Sequence, residues 1–121
     1  VDVFTPTQRP GTPAADAPVA GLQGATGWLL RELQGGFAAF CFDDEVAANL
    51  SLLERGRIPV AIKRIGRGAL ADPSGKAAER YDATPGTTYL IRPDQHVAAR
   101  WRRPDGNQIA VALDRALALQ E

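Results

Sequence analysis

Cys41 is the only cysteine in the 121-residue chain, and a thiol is the first group to consider for chemistry. Redox enzymes usually need a second thiol nearby, in Cys-x-x-Cys at a helix start, where the dipole lowers the pKa of the attacking thiol. Here Asp43 and Asp44 follow instead, and their charges should raise the pKa of the thiol and suppress the thiolate. Alternation along a strand places Cys41 with Phe37 and Ala39, so we interpret it as a small buried residue.

The other titratable candidates carry equally little sign of catalysis. His96 follows a turn beside Arg92 and Asp94, and an imidazole there can in principle act as a general base. No nucleophile or triad pattern accompanies it, so we expect a structural or surface role. The acidic residues 43–45 could hold a metal, but capping a helix is a sufficient role at a strand-to-helix turn.

Two glycine patterns only superficially suggest phosphate binding. The Gly-x-x-Gly-x-x-Gly run at 21–27 lacks the Gly-x-Gly-x-x-Gly spacing and follows a proline-rich stretch. The pair Gly66 and Gly68 lacks both a third glycine and a following helix. We therefore expect no nucleotide binding by this chain.

Basic residues surround an aromatic one near the C-terminus, and a second basic group lies in mid-chain. Such a pattern can bind single-stranded nucleic acid, anchor a protein interface or lie in solvent. The chain has 14 basic and 14 acidic residues, so a general affinity for nucleic acid or an anionic membrane is not expected. An interface and a solvated surface both stay open for the two groups, Arg100, Trp101, Arg102 and Arg103, and Lys63, Arg64 and Arg67.

The composition is that of one ordinary globular domain. Hydrophobic residues make up 45% and charged residues 23%, which excludes a disordered chain, a collagen-like repeat and a disulfide scaffold. No apolar run approaches the roughly 18 residues that span a bilayer. The N-terminus lacks the basic and apolar regions of a signal peptide, and nothing indicates an oxidising compartment. We expect a cytoplasmic protein.

The first twenty residues differ from the rest because prolines recur at positions 6, 10, 13 and 18. Proline fixes φ and lacks an N–H, so the segment favours extended chain. It is either a flexible tether or an ordered arm across the domain, and the pattern does not decide between them. We predict the domain proper over residues 21–121.

Periodicity and turn chemistry predict the remaining elements in order. The first half contains a short helix capped by Thr26, a buried strand over 36–42, a helix that begins near Asp43 and ends at a left-handed Gly56, and a strand over 58–62. The second half contains a loop over 66–76, one helical turn over 77–81, strands over 87–91 and 96–101, and a last helix with Asp105 and Gln108 as a capping box and Ile109, Leu113 and Leu117 as its apolar face.

This order is a parallel βαβ half followed by an antiparallel ββα half. A mixed sheet with helices on both faces accommodates it, as a three-layer α/β/α sandwich. It is the order of a thioredoxin-like core, and we predict that fold in the α/β class.

Residues 89–101 resemble a hairpin near the C-terminus of class A flavoprotein aromatic-ring monooxygenases of the phenol hydroxylase type. The shared pattern is two aliphatic residues, Arg-Pro-Asp, any residue, an aromatic or His, and Val-Ala-x-Arg. Residues 9–18 resemble the segment that leads into the last domain of that family, and residues 113–117 resemble its closing helix. That domain is thioredoxin-like and lacks the redox cysteine pair.

The resemblance implies a parent enzyme that binds FAD and uses NADH or NADPH with O₂ to hydroxylate a phenolic or related ring. The FAD-binding and substrate domains of that polypeptide would precede this chain, which itself would bind no cofactor or metal and catalyse nothing. The domain would pack on the catalytic body or contribute to a homo-oligomer. The structural or interface candidates are Arg92, Pro93, Asp94, His96, Arg100 and Trp101.

Physical chemistry supports a scaffolding role for the turn at the centre of this motif. Pro93 fixes the bend, Asp94 can bond the turn backbone, and Arg92 can pair with a carboxylate. Two alternatives to the monooxygenase domain are a free-standing, redox-inactive thioredoxin-like interaction module and a one-cysteine thiol enzyme that uses Cys41.

Overall fold

The computed structural model contains a four-stranded mixed sheet, a two-stranded ribbon and three α-helices. It describes residues 3–21, 26–33, 35–56, 58–66 and 70–120. Three residues of the glycine and basic motifs lie outside this part of the chain, namely Gly24, Arg67 and Gly68.

The four-stranded sheet has the predicted βαβ and hairpin pairing. Its strands in chain order are β3 (Phe37–Cys41), β4 (Val60–Arg64), β5 (Thr88–Ile91) and β6 (Val97–Trp101), and the ribbon is formed by β1 (Pro18–Ala20) and β2 (Thr26–Trp28). The spatial order is β4-β3-β5-β6. β3 pairs with β4 in parallel, whereas β3–β5 and β5–β6 are antiparallel. This confirms the predicted mixed α/β sheet.

Local side-chain bonds start two of the helices. The helices are α1 (Asp44–Asn49), α2 (Lys76–Arg80) and α3 (Gly106–Gln120). Asp43 caps α1, because its carboxylate accepts the Val46 N–H at 3.3 Å. Asp105 and Gln108 exchange hydrogen bonds of 2.8 and 3.0 Å at the start of α3. The predicted cap and capping box are both confirmed. In the described residues no helix has the length and apolarity that crossing a bilayer requires.

Apolar residues cover both faces of the sheet, which produces the three layers. One face carries Phe37, Ala39 and Cys41 and packs against residues of α1 and α3. The opposite face carries Phe40 and Tyr89, and it packs against residues of α2 and the N-terminal segment. Alternation along β3 therefore places Cys41 where the sequence predicted it.

The N-terminal segment is hydrogen-bonded to the edge of the sheet at β6. Gly11 N–H donates to the Val97 carbonyl at 2.7 Å, and Val97 N–H donates to the Thr12 carbonyl at 2.8 Å. The side chains of Ala14 and Ala17 are buried in the core. Residues 3–17 are called the arm below. The division of the chain at residue 20 stays a prediction.

The predicted helix over residues 26–33 is wrong. Thr26–Trp28 is strand β2, and only Leu29–Glu32 turns, as a 3₁₀ helix. Leu29 N–H donates to the Ala17 carbonyl, and Leu30 N–H donates to the Asp16 carboxylate, both at 2.9 Å. The N–H groups of Leu29 and Leu30 thus donate to residues distant in the sequence instead of bonding within a helix.

The ends of the second predicted helix and strand also differ from expectation. α1 stops at Asn49 and continues as a 3₁₀ helix over Ser51–Arg55, and Gly56 has φ −71°, which is not left-handed. Strand β4 begins at Val60 rather than at 58, because Val60 is the residue that aligns with Phe37 at the start of β3.

Candidate functional site

The Arg-Pro-Asp motif forms the turn of the β5–β6 hairpin. Gln95 N–H donates to the Arg92 carbonyl, and Arg92 N–H donates to the His96 carbonyl, both at 2.9 Å. Gln95 has φ 65°, so it occupies the left-handed position of a three-residue hairpin loop. Pro93 stands in the first part of the turn, where its fixed φ is suitable. The motif thus sets the bend between two strands.

Arg92 and Asp94 form an ion pair within this turn. Arg92 Nε donates to Asp94 Oδ1 at 3.0 Å, and Arg92 Nη2 donates to Asp94 Oδ2. The bond from Arg92 holds the pKa of the Asp94 carboxyl below its usual value, and Asp94 in turn raises the pKa of Arg92. Arg92 therefore faces its own turn, a point that the sequence left open.

His96 contributes to the same turn and is partly exposed. Its backbone N–H donates to Asp94 Oδ1 at 3.2 Å, and its Nδ1 lies 3.0 Å from the Asp94 carbonyl oxygen. A proton on Nδ1 satisfies that contact. Over the described residues, no group of three or more histidine, cysteine, aspartate or glutamate side chains is arranged to hold a metal. The geometry ties His96 to the turn.

Cys41 is buried under α1 and α3 and is held as a thiol. Burial raises the pKa of Cys41 to about 11, with a smaller rise from Asp43 and an opposing effect of a Thr88 hydrogen bond. That bond runs from Thr88 Oγ1 to Cys41 Sγ over 3.8 Å. Both the burial and the high pKa predicted from the sequence are confirmed, although burial has the larger effect. A thiolate nucleophile is therefore strongly disfavoured at neutral pH.

Arg100 and Arg102 contact the chain's own arm, a role that the sequence analysis missed. Arg100 Nη1 donates to the Thr7 carbonyl at 2.5 Å. Arg102 donates to the Val3 carbonyl at 2.9 and 3.1 Å, and to Asp82 Oδ2 at 2.9 Å. Both guanidinium groups stay partly exposed, and a role of Arg100 at an interface with another protein stays a prediction. The available signal was Phe4, the one aromatic residue in the arm.

Trp101 points to the opposite face of β6 from these two arginines, because side chains alternate along a strand. It packs against the core under α3 and stays partly exposed. A shallow groove of about 310 Å³ lies beside it, between β6 and α3, with Ala99, Val111 and Arg115 among its lining. The structure therefore does not form a single site from the candidate residues. Arg92, Asp94 and His96 form the turn, Arg100 holds the arm, and Trp101 faces α3.

Comparisons with known proteins show likeness in three-dimensional structure. No family model matches the chain, and neither does any curated protein. Aklavinone-11 hydroxylase, solved with FAD and aklavinone, superposes with a TM-score of 0.80 at 24% identity, over 94% of this chain and 22% of that one. The flavin-dependent monooxygenase PieE, solved with FAD and substrate, gives 0.65 at 26% identity, over 84% and 18%. The chain thus spans about a fifth of the length of these two enzymes.

A smaller protein matches over its whole length. The exposed lipoprotein thioredoxin of Streptococcus pneumoniae superposes with a TM-score of 0.61 at 16% identity, over 84% of this chain and 99% of that one. Together with the mixed four-stranded sheet covered on both faces, this likeness shows that the chain has a thioredoxin-like fold.

Proposed function

We propose that the chain is the non-catalytic C-terminal thioredoxin-like domain of an FAD-dependent, NAD(P)H-using cytoplasmic monooxygenase that hydroxylates a phenolic or related aromatic substrate. The observation that carries the proposal is the TM-score of 0.80 between 94% of this chain and 22% of a hydroxylase solved with FAD. The hairpin motif at 89–101 supports it independently, because it was identified from residue types alone.

The chemistry of the described residues supports a scaffold rather than a reaction centre. The thiol of Cys41 is buried and has a pKa of about 11, so it does not supply a thiolate at neutral pH. The turn between β3 and α1 is where an α/β fold would hold a pyrophosphate. Here Asp43, Asp44 and Glu45 occupy it, and their charges would repel a dinucleotide. FAD and NAD(P)H would therefore bind to the preceding domains of the polypeptide.

The domain packs, in this proposal, on the catalytic body or on a subunit neighbour. Val111 on α3 is 51% exposed and lines the groove beside Trp101. A groove with an apolar residue at its rim suits packing against another protein surface. The equal numbers of acidic and basic residues point the same way.

The test is to purify the natural polypeptide that contains these residues and to measure its flavin and its activity. We expect bound FAD, and consumption of NADH or NADPH that increases when a phenolic substrate is added. The variant Cys41→Ala should keep its rate of flavin reduction and hydroxylation. A natural polypeptide without flavin, or loss of flavin reduction in Cys41→Ala at unchanged folded content, would overturn the proposal.

A second candidate is a free-standing, redox-inactive thioredoxin-like interaction module. It is favoured by the match to 99% of the pneumococcal lipoprotein thioredoxin, a protein of about this size. The same purification distinguishes the two, because a short natural polypeptide without flavin would support the module.

A further inference from the structure

The N-terminal end of the arm is held by a cluster of hydrogen bonds centred on Arg102. The guanidinium donates to Val3 and Asp82 as described above, and Nη1 also donates to the Asp82 carbonyl at 2.5 Å and to Thr87 Oγ1 at 3.0 Å. Asp82 in turn accepts the Thr5 N–H at 2.9 Å. The planar fork of arginine suits such a junction, because it presents several donors in fixed directions. One side chain thus joins three separate segments of the chain.

Phe4 adds an aromatic contact at the same point. Its ring lies under the guanidinium carbons of Arg102 at 3.9 Å and of Arg100 at 4.5 Å. The ring also meets Tyr89 edge to face, with centroids 5.9 Å apart and planes at 79°. Cation–π contacts contribute about 0.5–2 kcal/mol each, depending on how far they are removed from water. Phe4 is therefore an anchor and not a loose terminal residue.

The arm is also bonded to the start of β6, so its residues 3–12 follow the whole length of the strand. Val3 lies at Arg102, just past the end of the strand, and Gly11 and Thr12 bond to Val97 at its start. Between these points Thr7 accepts from Arg100. The arm therefore runs antiparallel to β6, with contacts at both ends of the strand and in its middle.

We propose that Phe4 and Arg102 latch the arm to the domain, so that the arm is a rigid splint that fixes where the preceding polypeptide joins. This inference rests on the proposed function, because that function supplies a polypeptide before the arm. A flexible linker would let the domain reorient freely, whereas a latched arm restricts the junction to the side of Asp82.

Hydrogen exchange of the 121-residue chain tests the latch directly. Phe4→Leu keeps apolar bulk without the ring, and Arg102→Lys keeps the charge without the fork. We expect each to reduce protection of the Thr5 amide about tenfold, while amides of β3 and β5 keep their rates. Arg115→Lys, on the exposed surface of α3, is the matched control and should change nothing. Unchanged protection of Thr5 in both variants, or an equal loss over β3 and β5, would overturn the latch.

Small-angle scattering of the natural polypeptide tests the splint. The double variant Phe4→Leu/Arg102→Lys should broaden the distribution of distances between the domain and the rest of the protein. Flavin content is measured on the same sample. Missing flavin would refute the proposed function and leave the exchange result standing, whereas bound flavin with unchanged scattering would refute the splint.

Discussion

Gln95 adopts a backbone conformation that suits glycine better. Its φ of 65° places it in the left-handed region, and its side chain is exposed on the hairpin turn. A residue with a Cβ carries a steric cost there, which glycine avoids at the expense of some chain entropy. The backbone of the hairpin is therefore slightly strained at Gln95. No side-chain hydrogen bond among the described residues explains why glutamine occupies this position.

We expect Gln95→Gly to stabilise the chain by about 0.5–1 kcal/mol. Urea denaturation measures the change, with Ala99→Gly in the β6 strand as the control that should destabilise. Because Ala14 N–H bonds to the Gln95 carbonyl, the backbone contact is retained in the variant. A loss of stability in Gln95→Gly would contradict the assigned turn.

The buried thiol of Cys41 predicts a dependence of stability on alkaline pH. Its pKa rises from 9.0 to about 11 on folding, so the folded state holds the proton more tightly. The contribution of Cys41 to the free energy of unfolding is complete below about pH 9 and is lost as the pH rises to about 11. Two pKa units correspond to about 2–3 kcal/mol. Between these pH values, the Cys41→Ala variant should therefore lose less stability than the unsubstituted chain, as measured by urea denaturation. Parallel losses would contradict the assigned burial.

The start of α3 is the clearest case in which the local sequence specifies where an element begins. Asp105 and Gln108 were predicted as a capping box from type and spacing alone, and the structure contains both bonds. Replacing Asp105 by alanine should cost about 1 kcal/mol of stability. Thermal unfolding monitors the change, with the exposed Asp114→Ala in the same helix as control. An Asp105 variant as stable as the Asp114 variant would contradict the cap.

Elements were predictable where nearby residues supply their partners, and not where distant residues do. β3, β5, β6 and the Asp43 cap follow from local patterns and are present. The local pattern over 26–33 predicts a helix, but the N–H groups of Leu29 and Leu30 donate to Ala17 and Asp16 instead. The position of the arm could not be predicted for the same reason, because residues distant in the sequence hold it. Alternation predicts that Arg100 and Arg102 share a face, but not that Phe4 lies there.

At the scale of the molecule, Asp82 makes attachment of the arm sensitive to acid. The Thr5 N–H bond, followed by Arg102, lowers the pKa of Asp82 from 3.8. The contribution of Asp82 to the stability of the attached arm is therefore present above about pH 4. It is lost as the pH falls through the lowered pKa of Asp82 in the folded state. The protection factor of the Thr5 amide, which is its exchange rate compared with that of an unfolded chain at the same pH, should fall in that range, and Asp82→Asn should remove this dependence. An Asp82→Asn chain with the same acid response would show that another carboxyl is responsible.

The contact between Val3 and Arg102 joins positions 99 residues apart, which has a consequence for how the protein is made. At a translation speed of roughly 5–20 residues per second, the ribosome adds Arg102 roughly 5–20 s after Val3. During that interval β6 has not been completed, so the arm lacks the strand on which it docks. Any upstream domain would have this time to fold before the arm docks on β6.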